Sequence, residues 1–492
     1  MHLVHMCKED KLWSVTTLFW YLTVFSSFFM AYLFPVELPI GGHFFLYRLA
    51  LPVTALLYGV WCIKGRYNPL KGIALIEKCV LLLLSSMLLY GMASFFWAIS
   101  KGAWFSQMLS TGMDFCFLYL AIQFYKDDRT RKGTVLLACA TMLFCCLGGL
   151  IEMSCGCFFD TPYAGTSFYY FMGKLWQAPV FCFYNQNGLS ASAFWVLIVG
   201  FLYLFDRWND LTARKKHRFW NVGVAVICIC LFLFCAAGSR LTLWAIPFFL
   251  VGLACWLLLR YKRGLLAFVA IACCFLFIYV GENYTNIKEQ LAYVAELNRW
   301  QESVESGTAA GEAPKKPTPT TPSHTTTGHT VPVDKESGQV SIVADESGGL
   351  RVNLMKNALN LIADSKCLGV GVGNLEIRMA EYDNVRGMVN PHCFVVEVIA
   401  EFGIFALLPL LALGFVLCKN WFKNILQSVQ QKDRVLLSNV VFQIFAVLTY
   451  PFLSTINSSS WGMSPMWLFL AYIVWGNCLQ NTGKPVLSKE AE

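Results

Sequence analysis

The chain has 492 residues, of which 57% are hydrophobic and 14% are charged, and its formal net charge is +8. Soluble domains carry roughly 25% charged residues, so most of this chain cannot face water. The composition excludes a soluble enzyme, a nucleic-acid-binding module and a disordered protein, and it indicates a membrane protein.

About twelve apolar stretches have the length, close to 20 residues, that a helix needs to cross a bilayer core. They lie near 12–34, 43–63, 76–98, 104–125, 134–154, 188–206, 219–237, 241–259, 264–281, 394–417, 436–456 and 464–481. The first stretch has no small-residue cleavage site, so we expect a retained helix there and not a signal peptide. The predicted fold class is an all-α polytopic membrane protein with about 12 transmembrane helices.

Lysine and arginine are concentrated in alternate short loops, and short loops rich in these residues stay in the cytoplasm. The basic loops lie at 64–75, 126–133, 207–218, 260–263 and 418–435. Both termini are therefore predicted to be cytoplasmic. Topology also explains most of the positive charge, so we expect no nucleic acid partner.

One long loop, predicted to be external, precedes the tenth span. Its middle, about 302–349, is rich in Pro, Thr, Ser and Gly and is predicted to be disordered. Its flanks, 284–300 and 350–363, carry apolar residues at helical spacing and are predicted to be amphipathic helices. The chain is thereby divided into transmembrane helices 1–9 (1–281), the external loop (282–393), transmembrane helices 10–12 (394–481) and a cytoplasmic tail (482–492).

A glycine-rich segment, Gly369-Val370-Gly371-Val372-Gly373-Asn374, follows the second amphipathic stretch. One interpretation is a loop that cradles phosphate, although it lacks the Lys-Ser/Thr of a P-loop. The other is a tight turn between two short helices. Asn374 is then expected to cap the helix that follows.

Several polar residues lie at the predicted outer ends of spans, where charge inside the bilayer is costly. Arg48 lies near the outer end of the second span and either has a function or extends to the interface. Arg240 follows Gly238-Ser239 in a short break between two spans, where helix N–H groups and a guanidinium form an anion site or an interfacial anchor. Asn185 and Asn187 open the sixth span, as caps or as ligands.

The segment that begins Asn390-Pro391-His392 opens the tenth predicted span. With Asn390 as the N-cap, His392 is expected in the first turn, where the helix dipole disfavours imidazolium and leaves a neutral proton acceptor. An ordinary interfacial histidine is the alternative. Glu397 and Glu401 share one helix face and are expected to contact neighbouring helices or a polar cavity, because neither lies on the His392 face.

Three motifs, in this order and spacing, resemble the O-antigen ligase and O-antigen polymerase family of bacterial membrane glycosyltransferases. They are the Ser-Arg break at 238–240, the Arg–helix–Gly-x-Gly-x-Gly-Asn stretch at 351–374 and, at 392–403, the family's signature of His-Asn, nine residues and Gly. The sequence departs from the family's residues at Cys393 and Ala406.

The resemblance implies an enzyme that takes glycan from an undecaprenyl-diphosphate carrier and joins it, with inversion, to an acceptor hydroxyl on a glycan, lipid or protein. It implies a bacterial cytoplasmic (inner) membrane location with an external active site, in surface polysaccharide biosynthesis. It implies no cofactor and no metal ion. The bilayer and a chain-length regulator are the further partners. The catalytic candidates are His392, Arg240 and Arg351, and the substrate-binding candidates are Arg48, Asn185, Asn187, Asn374, Glu397 and Glu401.

Three alternatives stay open from the sequence. A ligase that acts on lipid A-core or on a protein acceptor would have the same sequence features as a polymerase, so the sequence does not separate the two. A polyprenyl-glycan flippase or transporter would carry inverted repeats and charges near the bilayer midplane, which we do not find in the sequence. A structural or sensory membrane protein would leave the motif order as a coincidence.

The predicted topology has a direct test. A reporter that is active only outside the cytoplasm should give signal when fused at about residue 320 and none when fused at about residue 213. The reason is that loop 207–218 is short and rich in Lys and Arg, which keep it in the cytoplasm, whereas the long loop around residue 320 is predicted to be external. The reverse pattern would contradict an external site.

Overall fold

The fold is a bundle of long apolar helices with a small second unit at one end, seen in a computed structural model. The structure describes residues 11–29, 36–37, 43–71, 73–156, 158–159, 168–171, 174–177, 179–183, 186–212, 214–216, 223, 226, 230, 240–261, 347–385, 389–391, 393–453 and 463–480. Four predicted features lie wholly or mostly outside these residues: the first amphipathic helix at 284–300, the ninth span at 264–281, most of the seventh span and nearly all of the 302–349 insert.

Helices account for most of the described residues. In chain order they are α1 Lys11–Phe29, α2 Leu46–Lys64, α3 Leu75–Ala93, α4 Lys101–Tyr125, α5 Asp128–Cys155, α6 Gln186–Asp206, α7 Arg240–Tyr261, α8 Ser347–Asp364, α9 Leu375–Met379, α10 Phe394–Phe402, α11 Leu407–Gln430, α12 Arg434–Leu448, α13 Tyr450–Leu453 and α14 Ser464–Gln480.

Two short antiparallel hairpins interrupt the helical fold. Val36–Glu37 (β1) pairs with His43–Phe44 (β2) between α1 and α2. Phe168–Phe171 (β3) pairs with Lys174–Gln177 (β4) between α5 and α6. Both hairpins lie at the helix ends that the sequence predicts to be external.

Side-chain caps fix where several helices begin. Ser100 accepts a hydrogen bond from the Ala103 N–H and starts α4. Asp127 accepts from the Thr130 N–H and starts α5, and Asp433 does the same for the first turn of α12. Each cap satisfies a backbone donor that has no partner within the helix and contributes about 1 kcal/mol.

Six of the helices among the described residues are long and apolar enough to cross a membrane. They are Lys11–Phe29, Leu46–Lys64, Leu75–Phe96, Asp128–Met153, Asn187–Asp206 and Ile404–Gln430, with shorter apolar helices at Ala245–Tyr261 and Arg434–Leu448. The prediction of a polytopic helical membrane protein is confirmed at this level. Large side chains such as Trp20, Trp61, Trp195 and Trp256 fill the bundle interior.

The prediction that residues 394–417 form one continuous transmembrane helix is wrong. The helix breaks at Gly403, whose φ of 77° ends α10, and a short 3₁₀ turn at Ile404–Ala406 leads into α11. The helix that is long and apolar enough to span the membrane runs from Ile404 to Gln430, so the predicted basic loop at 418–435 is largely helical. The nine residues of α10 are not part of this candidate span.

Helix α10 belongs to the small second unit. This unit, which we call the α8–α10 unit, has its own apolar core made of Leu354, Ala358, Leu361, Ile362, Val370, Leu375, Met379, Val385 and Ala400. Helix α8 confirms the helix predicted over 350–363, because its apolar spacing places Leu354, Ala358 and Leu361 on the face that packs. The unit unites the glycine-rich segment with the segment that follows His392.

The opposite, predicted cytoplasmic, end of the bundle is held by buried polar contacts. The Arg131 guanidinium donates to the Tyr125 carbonyl and lies 3.9 Å from the Trp475 ring centroid. The Tyr472 hydroxyl donates to the Asp206 carboxylate at 2.7 Å. These contacts join α4, α5, α6 and α14, so the bundle has a fixed base from which its outer end is built.

Candidate functional site

The glycine-rich segment is a turn that is tightly packed between two elements. Gly369 and Gly373 have φ values of 81° and 72°, which favour glycine. A Cβ on Gly369 would lie 2.6 Å from the Glu401 carbonyl oxygen, and one on Gly373 would lie 2.5 Å from the Ala103 carbonyl oxygen. Glycine is required here for both backbone conformation and close approach.

The backbone N–H groups of this turn are used inside the protein. The Val370 N–H donates to the Ala400 carbonyl at 2.8 Å, and the Val372 N–H donates to the Ser94 hydroxyl at 3.2 Å. These donors are therefore not free to cradle a phosphate. The tight-turn interpretation is confirmed, and the turn joins α10 to the outer end of α3.

Asn374 secures the same turn to the start of α4. Its side chain is fully buried, accepts from the Ser100 N–H at 2.7 Å and donates to the Val372 carbonyl at 2.9 Å. Asn374 is the N-cap residue of α9, as predicted, but its side chain makes no capping hydrogen bond to that helix. The amide is occupied by a partner 274 residues away in sequence.

Helix α10 begins later than the sequence indicates. Its N-cap is Cys393 and its first residue is Phe394, so the expectation that Asn390 caps the helix is wrong. Asn390 is buried and donates instead to the Glu376 carboxylate at 3.2 Å. His392 lies outside the described residues, and the helix-dipole reason for a neutral imidazole loses its basis.

Glu401 lies in the last turn of α10 and is buried. Burial raises the pKa of its carboxyl to about 8, with a smaller contribution in the same direction from Glu376. Backbone groups of Gly373 and Leu375 act in the opposite direction, because they hydrogen-bond the carboxylate. Glu401 therefore connects α10 to the end of the glycine-rich turn.

Glu397, one turn earlier, is only 4% exposed. Burial first, and then the charges of Glu401 and Glu376, raises the pKa of its carboxyl well above the ordinary value. Its Oε1 atom has no hydrogen-bond partner within the described residues. Buried polar atoms are nearly always paired, so an unpaired one is a feature that needs a function.

Tyr450 is the neighbour of Glu397 on the bundle side. The ring of Tyr450 lies 6.0 Å from that of Phe394, and the Tyr450 hydroxyl is close enough to the Glu397 carboxyl to interact with it electrostatically. The Tyr450 ring also lies 5.6 Å from that of Trp195 in α6. Glu397 thus faces the seam between the α8–α10 unit and the bundle, as expected for contacts with neighbouring helices.

The remaining predicted residues fall into two groups. Arg48 is the third residue of α2, with its guanidinium carbon 4.5 Å from the Phe45 ring centroid, and half-buried Asn187 is the second residue of α6. These two residues form the first group, whose positions are described but which have no described contact with Glu397. The other group comprises residues whose side chains the structure does not describe, namely Asn185, Arg240, Arg351 and His392. Arg240 is the first described residue of α7.

Sequence reasoning missed three polar residues. Glu376 and Tyr450 join the carboxyl cluster through α9 and α13, and only their positions next to Asn374 and Pro451 could have drawn attention to them. Glu152, fully buried in α5, accepts from the N–H groups of Phe158 and Val180 and so fixes the following loop. The sequence did offer one sign of Glu152, because it is a lone carboxylate at the end of an apolar helix.

Within the described ranges no group of three or more His, Cys, Asp or Glu side chains is placed to hold a metal ion.

Comparison with known proteins gives two matches. Residues 224–411 match the O-antigen ligase family. The matched region contains α7, the α8–α10 unit and the start of α11, so the resemblance drawn from the three motifs is confirmed. The chain is also 21% identical over 468 residues to the teichuronic acid biosynthesis protein TuaE of Bacillus subtilis (strain 168), across 92% of this chain and 82% of that protein.

The glycine contacts predict a selective effect of adding one methyl group. Gly369→Ala should lower the apparent melting temperature of the purified protein, because Cβ meets backbone at 2.6 Å and φ is positive. Gly112→Ala, in the interior of α4 with open space at Cβ, is the matched control and should be neutral or stabilising. Equal melting temperatures for both variants would show that the turn is not tightly packed.

The raised pKa of Glu401 predicts a pH dependence of stability. The folded state holds the proton up to about pH 8, whereas the unfolded carboxyl releases it near 4.5, so ionisation costs stability as the pH rises through this window. Glu401→Gln, which stays neutral, should therefore gain melting temperature relative to the native protein between about pH 5 and pH 9. A difference that is constant with pH would contradict burial of this carboxyl.

Proposed function

We propose that this protein is an inverting membrane glycosyltransferase of surface polysaccharide biosynthesis. It transfers or polymerises glycan from an undecaprenyl-diphosphate carrier onto an acceptor hydroxyl at the external face of the bacterial cytoplasmic membrane. The observation that carries the proposal is the α8–α10 unit. It packs the glycine-rich segment and the segment after His392 into one body. At the seam of this body with the bundle lies the buried Glu397 carboxyl, one oxygen of which has no partner among the described residues.

The reaction assigns a task to each part of the site. The acceptor oxygen attacks the anomeric carbon while the bond from that carbon to the carrier phosphate oxygen breaks, so the configuration inverts. The proton of the acceptor hydroxyl passes to His392, and the diphosphate leaves on the lipid. Arg240 and Arg351 neutralise the charge that develops on the leaving diphosphate, since a guanidinium can bind phosphate through two parallel hydrogen bonds.

The buried carboxyls contribute to the acceptor side. A carboxyl with a raised pKa keeps its proton at neutral pH and can donate a hydrogen bond to a sugar hydroxyl or ring oxygen. Glu397 is the better placed of the two, because Glu401 is held by the glycine-rich turn while one oxygen of Glu397 has no partner in the part of the chain that the structure describes. Glu397 therefore binds the acceptor, and Glu401 holds the loop that positions it.

The named relative supports a polymer-forming role. The Bacillus subtilis protein is named for teichuronic acid biosynthesis, and the alignment covers most of both chains. Extending a chain of repeat units on the lipid carrier fits this name better than ligation to lipid A-core. We therefore place polymerisation ahead of ligation in the proposal.

The first test is the proton acceptor. His392→Gln keeps one hydrogen bond but not the base, so turnover with a purified undecaprenyl-diphosphate oligosaccharide should fall by about 10²-fold or more while donor binding is retained. Glu397→Gln should weaken acceptor use with a smaller loss of turnover. Glu381→Gln, an exposed carboxylate of the same unit that pairs with Arg378, is the matched control and should behave like the native protein. Native turnover by His392→Gln, with Glu397→Gln inactive, would move the base to Glu397.

The second test is the anion site. Arg240→Ala and Arg351→Ala should each abolish most polymer formation, and lysine should restore little because it lacks the planar fork. Arg378→Ala removes an arginine of the same unit whose guanidinium pairs locally with Glu381 at 2.8 Å, and it should leave polymer length unchanged. If both alanine variants at 240 and 351 made polymer of native length and amount, the leaving diphosphate would be bound elsewhere.

A further inference from the structure

A cavity of about 710 Å³ lies between α5 and α6, on a different side of α6 from the seam with Tyr450. Its α6 lining runs from Ala193 to Arg207, about 21 Å at 1.5 Å per residue, or most of the thickness of a bilayer core. Gly223, Val226 and Cys230 complete one wall. The cavity contains none of the residues assigned to the glycosyl transfer.

The body of the cavity is apolar. Side chains from both helices line it, among them Val135, Leu136, Leu143, Val196, Leu197 and Leu204. Its volume falls in the range of sites that enclose a ligand of several hundred daltons. Leu136, Leu143 and Ala140 of the lining are also exposed on the outer surface of α5, so the cavity opens sideways towards the lipid.

The mouth of the cavity, at the end with the basic loops, is polar. Arg207 is neutralised there, because it forms ion pairs with Asp128 and, at 3.4 Å, with Asp210. Lys132 and Lys215 also line the mouth, are exposed, and have no acidic partner among the described residues. Asp128 also forms an ion pair with Arg131, so two arginines match the two carboxylates and the charges of the two lysines are left at the head of an apolar channel.

We propose that this cavity binds an anionic phospholipid of the adjacent leaflet, with its acyl chain between α5 and α6 and its phosphate at Lys132 and Lys215. The two parts of the site match the two parts of this ligand. A basic mouth between membrane helices recognises an anionic head group. An apolar channel that is open to the bilayer lets the acyl chain enter from the side without passing through water. The binding site is separate from the proposed transfer reaction and does not depend on it.

Lipid titration of the purified protein, followed by native mass spectrometry, tests the proposal. The protein should retain phosphatidylglycerol more tightly than phosphatidylcholine. Lys132→Gln/Lys215→Gln should weaken phosphatidylglycerol binding by about 30-fold, since each lysine near a lipid surface contributes about fivefold. Ala140→Phe fills the channel with an aromatic ring and should abolish the same binding with the mouth intact.

The matched control keeps the charge change but moves it away from the cavity. Lys419→Gln/Lys423→Gln removes two exposed lysines of α11 that do not line it and should leave binding unchanged. Equal retention of phosphatidylcholine, equal loss in the control, or full binding by Ala140→Phe would overturn the proposal. Preferential binding of a polyprenyl monophosphate over phosphatidylglycerol would also overturn it, because the cavity would then hold the carrier.

Discussion

The structure of the proposed site depends on one contact, the close approach of the glycine-rich turn to the end of α10. The Val370 N–H bonds to the Ala400 carbonyl, and the Ile404 N–H bonds to the Cys367 carbonyl, so each side of the turn is hydrogen-bonded to the chain around Gly403. A side chain at Gly369 would prevent this approach. The contact ends α10, starts the following membrane-spanning helix and holds two family motifs together.

Two buried carboxyls follow from that arrangement, and they differ in what surrounds them. Removing a carboxylate from water is costly, so such groups stay neutral or find donors. Glu401 has backbone donors from the glycine-rich turn, whereas one oxygen of Glu397, at the seam with Tyr450, has no partner among the described residues. The proposed acceptor-binding role of Glu397 rests on this difference.

The sequence predicted the features that depend on local composition and missed those that depend on distant contacts. Apolar length located α1 to α6, and periodicity located α8. The break at Gly403 was missed, because its conformation is set by the backbone of residues 367–368, which lie far along the chain. Asn374 and Asn390 were expected to cap helices, but Ser100 and Glu376 respectively take their amides. A local sequence pattern shows which side chains could cap a helix, and tertiary contacts decide whether they do.

The proposed function requires the protein to break a glycosyl–diphosphate bond by direct displacement. The most direct measurement is the stoichiometry and stereochemistry of transfer by the purified protein in liposomes, followed by mass spectrometry of the lipid and NMR of the new linkage. The account predicts one undecaprenyl diphosphate released for each glycosidic bond formed, with the anomeric configuration inverted. A retained configuration, or movement of intact carrier-linked glycan with no bond formed, would contradict it.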